Sequence, residues 1–189
     1  MLYLTPEQVS AVTKAKLSNV AACWPPVCLA LDVQGINHPL VQVGMAATIA
    51  IETGDFTPKR EALSKDTGSV LYAAQRRYWP SGYYGRGFIQ LTWEANYRAA
   101  SQALKVDLVA DPDMALKPGV AAAIAAWFFR THQVGGDDKR VLHEACRAGD
   151  WEAVRRGING PGYHKDRAAL ARFMGHCEGL AKLVEAFNG

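Results

Sequence analysis

Residues 40–52 read LVQVGMAATIAIE and close on Thr53-Gly54. The run is apolar nearly all the way round, which predicts a helix buried at the centre of a domain rather than lying on its surface. Asn37 is placed to cap it, Pro39 falls in its first turn, and Gly54 suits its C-cap. Before it, Thr5-Pro6-Glu7-Gln8 is a capping box that opens a helix running to about Ala22, where Trp24-Pro25-Pro26 is expected to stop it. Leu29–Ile36 reads as a short helix ending at Gly35. After it, Ser69–Tyr78 places Val70, Leu71, Ala74 and Tyr78 on one face, and Thr92 is positioned to N-cap a helix to about Leu104. Gly119–His132, with Trp127, Phe128 and Phe129, reads as a second buried helix. Asp137 or Asp138 is placed to cap Val141–Arg147, and Asp150 to cap Trp151–Gly157. A sharp turn at residues 158–162 precedes a long helix from about His164 to Phe187. The rest, including 105–118 and 134–139, reads as loop. The prediction is a single, mainly α domain over residues 1–189, without repeats or linkers.

Hydrophobic residues make up 49% of the chain and charged residues 21%, ordinary values for a soluble globular protein. A net charge of +3 is too small to argue for nucleic acid, but it favours a polyanionic surface such as a bacterial envelope. No apolar run reaches the length of a membrane span, so no stable membrane insertion is expected. The opening MLYLTPEQVS lacks the pattern of a secretory signal; a protein made in the cytoplasm and acting on the cell wall would need another factor to release it. Cys23, Cys28, Cys146 and Cys177 lack a second close Cys or His pair, so buried free thiols are expected, ahead of disulfides and of metal.

Glu52 ends the central helix, where the macrodipole opposes a negative charge and the side chain leans back over an apolar turn. That setting favours the neutral carboxyl a general acid needs. Glu61 lies nine residues on, in a polar loop between Arg60 and Lys65, a setting for a charged carboxylate. Residues 83–92, YYGRGFIQLT, combine glycines for a tight loop or hairpin with Tyr83, Tyr84, Arg86 and Gln90, rings and donors suited to a sugar. Ile89 and Leu91, alternating with Gln90, suit a short half-buried strand.

Four segments in order resemble the glycoside hydrolase family 19 pattern, that of the chitinases and their phage endolysin relatives: QVGMAATIAIETGDF, the second Glu nine residues on, YYGRGFIQLT, and RRGINGPGYHKDR. The resemblance implies Glu52 as general acid and Glu61 as general base. Gln90 and Thr92 would line the cleft and help hold the attacking water, Asn159 would bind substrate, and Arg167 would neighbour the base. Tyr83, Tyr84 and Arg86 complete the implied substrate-binding set. Ile51 stands where the family often has His. The implied fold is a lysozyme-like, two-lobed helical one with a small β-hairpin. The implied reaction is inverting hydrolysis with no metal or organic cofactor. The leading expectation is a monomeric phage endolysin that cuts the glycan strands of bacterial peptidoglycan; the alternative is a chitinase acting on poly-N-acetylglucosamine. A catalytically dead glycan-binding module would be free to lose a carboxylate, and both are present.

Overall fold

The computed structural model describes residues 3–185. Its helices are α1 (Pro6–Thr13), α2 (Leu17–Val33), α3 (Pro39–Thr53), α4 (Val70–Gln75), α5 (Glu94–Leu104), α6 (Pro118–Thr131), α7 (Leu142–Arg147), α8 (Trp151–Asn159) and α9 (Arg167–Glu185). Two short antiparallel pairs accompany them: β1 (Lys59–Arg60) with β2 (Arg86–Gly87), and β3 (Gln133–Gly135) with β4 (Asp138–Val141). The mainly α expectation holds. The predicted end of the last helix, Phe187, lies outside the described residues.

The central helix is where the sequence places it. In α3, every residue from Val41 to Ala50 is buried. Its polar member Gln42 is fully satisfied, accepting from the backbone N–H groups of Tyr3 (3.1 Å) and Leu4 (3.0 Å) and donating to Asn37 (2.8 Å). Asn37 is therefore not the cap. That role falls to His38, whose Nδ1 accepts from Leu40 N–H at 3.2 Å.

The first two helices differ from expectation. The capping box at Thr5 and Gln8 is present, but α1 stops at Thr13 because Lys14 takes a left-handed conformation with φ of 62°. Helix α2 then runs through Pro25 and Pro26. An interior proline removes a hydrogen bond and costs roughly 3 kcal/mol. Here the carbonyls left without a partner belong to Ala21 and Ala22, both exposed to water. On the other face Trp24, Val27 and Cys28 are buried, and the Trp24 indole donates to Leu4 O at 2.7 Å. Burial of that face outweighs the local penalty.

Four further elements depart from the sequence reading. The segment after Glu52, read as loop, contains the strand β1. Residues 133–141 form a hairpin, with Gly135 and Gly136 at positive φ in its turn. Helix α7 is capped by its own Glu144, which accepts from Val141 N–H at 3.0 Å, while Asp138 is held by Arg140. Helix α8 continues to Asn159 and a 3₁₀ helix over Gly160–Lys165 replaces the sharp turn; Asp166 then caps α9, accepting from Ala169 N–H at 2.9 Å.

The core has two parts. The larger gathers α1, α2, α3, α7, α8, α9 and one face of α6 through Ala121, Ala122, Ala125, Ala126 and Phe129. The smaller joins the opposite side of α6, through Ile124, to Leu91, Tyr97, Ala100, Leu108 and Ala115. Helix α6 is thus a wall shared by two lobes.

Candidate active site

Glu61 follows directly after β1. Pairing of β1 with β2 sets Arg60 opposite Arg86, and Glu61 N–H donates to Gly85 O at 2.8 Å. Gly85 N–H returns a bond to Glu61 Oε2 at 2.9 Å. Oε1 accepts from Gln75 Nε2 at 2.8 Å and from the Tyr78 hydroxyl at 2.7 Å. Three neutral donors therefore fix the carboxylate as an acceptor. Burial, and then the bond to Glu61 and its charge, push the Tyr78 phenol well above its usual range, so it stays protonated as a donor. Three neighbouring cations are engaged elsewhere. Arg60 and Arg86 both pair with Asp113, and Lys59 Nζ donates to Thr53 O.

Gly85 has no side chain for a reason particular to this site. A Cβ there would lie 2.9 Å from Gln90 Oε1 and 3.2 Å from Glu61 Oε2. A methyl there would push both side chains aside. The Gln90 amide nitrogen is spent on the carbonyls of Lys59 (3.1 Å) and Gly87 (3.0 Å), which leaves its oxygen facing Gly85.

Glu52 sits in the last turn of α3, and its Oε1 accepts from Arg155 Nη1 at 2.6 Å. Both side chains are largely buried, 15% and 7% exposed. Arg155 also lies over the ring of Phe173, its Cζ 5.7 Å from the centroid. Its Nε has no partner among the described residues. The apolar setting inferred for Glu52 from sequence is thus incomplete, because α8 brings a cation to it from the far end of the chain. Between the lobes runs a groove of about 260 Å³, lined by Gln90, Thr92, Asn96, His132 and the end of α8.

Residues 44–163 match the family model described as chitinase class I. The chain belongs to glycoside hydrolase family 19. Over 125 residues it is 34% identical to the endochitinase At2g43610 of Arabidopsis thaliana, a match covering 61% of this chain and 43% of that protein. Over 85 residues it is 39% identical to inactive chitinase-like protein 1 of Hevea brasiliensis, covering 43% of this chain and 26% of the relative. The chain spans less than half the length of these curated relatives. Among solved structures, a bacterial family 19 chitinase superposes with a TM-score of 0.69 at 21% identity, covering 95% of each chain. Chitinase C from Streptomyces griseus gives 0.65 at 19%, covering 97% of this chain and 77% of the other. These show a shared fold.

Within this family 19 chain the predicted residues divide. Glu61 and Gln90 come together across Gly85, and Gln90 with Thr92 lines the groove. Thr92 is not a helix cap; its hydroxyl donates to Gln90 O at 2.8 Å, and the cap position of α5 belongs to Trp93. Ile89 and Gln90 form a turn rather than a strand, with Gln90 at φ of 53° and Leu91 bridging back to Arg86. Arg86 is no surface reader of substrate. It is 4% exposed and ties the loop together through Asp113 (2.7 Å), Gly82 O (2.9 Å), Tyr84 O (3.0 Å) and Tyr97 (3.1 Å). The Tyr83 hydroxyl donates to Val109 O, and Tyr84 is stacked between Trp79 and Arg86. Asn159 is exposed at the end of α8, flanked by the groove residues Ile158 and Gly160. Arg167 is exposed at the start of α9 and takes no part in holding Glu61. Sequence reasoning missed Gln75 and Tyr78, whose signal was only helical spacing, and Arg155, visible as half of an Arg-Arg pair with no hint of its partner.

Proposed function

We propose that this chain hydrolyses a β-linked strand containing N-acetylglucosamine by acid/base catalysis. Glu52 protonates the glycosidic oxygen, and Glu61 draws a proton from water on the opposite face of the sugar. The observation that carries the reading is the contrast between the two carboxyls. Glu61 accepts from three neutral donors, the Gln75 amide, the Tyr78 hydroxyl and Gly85 N–H, with no cation on it among the described residues. Glu52 instead is largely buried and has one charged partner, Arg155. Inversion needs carboxyls about 6.5–9.5 Å apart, wide enough for a water. In this reading Gln90 and Thr92, which line the groove, hold that water.

The names of the curated relatives favour a chitin-type strand as substrate. A second reading, peptidoglycan cleavage by an endolysin acting on the cell wall, draws support from the net charge of +3, which suits a polyanionic envelope. Two measurements decide. Proton NMR of first-formed products from a β-linked N-acetylglucosamine oligomer is expected to show the α anomer; a predominantly β product makes Glu61 a nucleophile and overturns the mechanism. Mass spectrometry of digested chitin and digested peptidoglycan then assigns the substrate, and muropeptides with new reducing ends from peptidoglycan alone would replace the chitin reading.

A further inference from the structure

One residue beside the groove breaks two local rules at once. Trp93 has φ of 75° and ψ of 136°, a region that residues with a Cβ avoid. It also occupies the N-cap position of α5, where Ser, Thr, Asn, Asp or Gly would serve, and its side chain makes no capping bond. Neither choice helps the helix. Both are held in place by the chain around them, since Trp93 N–H donates to Tyr83 O at 2.8 Å and Trp93 O accepts from Asn96 N–H at 3.0 Å. The result is a large indole turned outward, 42% exposed.

That indole is supported as well as exposed. The Tyr78 ring meets it edge-on, with centroids 5.1 Å apart and planes at 65°, and the Arg77 guanidinium lies 5.9 Å from its centre. Tyr78 is the residue whose hydroxyl holds Glu61. One tyrosine ring therefore links the indole to the candidate base, and the preceding residue, Thr92, lines the groove.

We infer that Trp93 is the stacking platform of a sugar subsite on the Glu61 side of the groove. Its ligand is a pyranose ring of a β-linked N-acetylated strand. Such a ring carries its substituents equatorially and presents axial C–H groups on each face, which the negative face of an indole attracts. Local strain at a functional position explains a tryptophan where glycine would fit better. This inference rests on the proposed glycosidase reading, and the test separates the two.

The test uses Glu52→Gln protein, so that ligand is not consumed, and two probes: the N-acetylglucosamine hexamer and peptidoglycan glycan strands stripped of peptides. Tryptophan emission is followed during titration. One of the probes is expected to shift the emission, and adding Trp93→Phe should abolish the shift while binding weakens about threefold or less. Trp93→Gly removes the ring and relieves the backbone, so it should melt no lower than its parent yet bind about tenfold more weakly. Binding within twofold of the parent in Trp93→Gly, or an emission change that survives Trp93→Phe, overturns the subsite while leaving the glycosidase reading intact. Failure of both probes to bind the parent overturns both.

Discussion

At the scale of single residues, the site depends on what is absent as much as on what is present. Gly85 has ordinary negative-φ freedom, so Gly85→Ala asks little of the backbone; its methyl instead drives into Glu61 and Gln90. If Glu61 is the proposed base, activity is expected to fall at least ~10²-fold with the melting temperature little changed. Gly87→Ala should do the reverse damage, because Gly87 sits at φ of 83° with Ala115 O only 2.9 Å from a would-be Cβ. There the fold is expected to weaken, as a thermal melt would show. Glu52→Gln tests the acid. It should remove ~10²-fold or more of the activity, and it also removes the carboxyl that partners buried Arg155, so stability is expected to drop by about 1–3 kcal/mol. Adding Arg155→Met should return stability without returning activity. If the double variant is active, Glu52 is not the acid. Both carboxylates could be singled out from the sequence because each belongs to a short local pattern. The Arg155 contact could not, since it joins residues 103 positions apart and nothing in the chain between them encodes the meeting.

At the scale of elements, α4 shows how far apolar patterning misleads. Val70 and Leu71, read as sharing one face with Ala74 and Tyr78, are 88% and 56% exposed, and the residue that turns inward is Gln75 at 1%. Six residues bury too little for hydrophobicity to set the helix's rotation. The hydrogen bonds of Gln75 to Glu61, Ala62 O and Ser64 N–H set it instead. The β3–β4 hairpin was missed for a related reason, since its two glycines and charged strands look like a loop until the Gln133–Val141 register is seen. That hairpin carries a pH-dependent element. Arg140 first, then backbone bonding and Arg156, hold Asp138 down to about 2 from an ordinary 3.8. A lowered folded-state value stabilises where the unfolded carboxyl is already charged. The contribution is therefore complete above about pH 4 and lost as the pH falls toward 2. Asp138→Asn should be less stable than the parent at pH 6 by urea titration, and the gap should close by pH 2. A gap independent of pH would mean that Asp138 contributes through packing alone.

At the scale of the whole molecule, the mainly α fold was legible because α3 and α6 are nearly continuous apolar runs and burial leaves them no alternative. The two-part core was not, because the sequence of α6 does not say that its opposite sides serve different clusters. The inequality between those clusters has a dynamic consequence. The smaller, built on Leu91, Tyr97, Ala100, Leu108, Ala115 and Ile124, is expected to open before the larger. Hydrogen exchange should therefore be faster in α5 than in α3. Equal protection in the two helices would make the protein one cooperative unit.

The four cysteines, all unpaired and at most 4% exposed, give the molecule a further property. Burial pushes Cys28 up to about 12 and raises Cys23, Cys146 and Cys177 as well, which disfavours the reactive thiolate in the native state. With no cross-link to cut, reductants leave its stability where it was. The sulfurs sit on α2, α7 and α9, and the order in which an alkylating agent reaches them becomes a timetable of which helix lets go first.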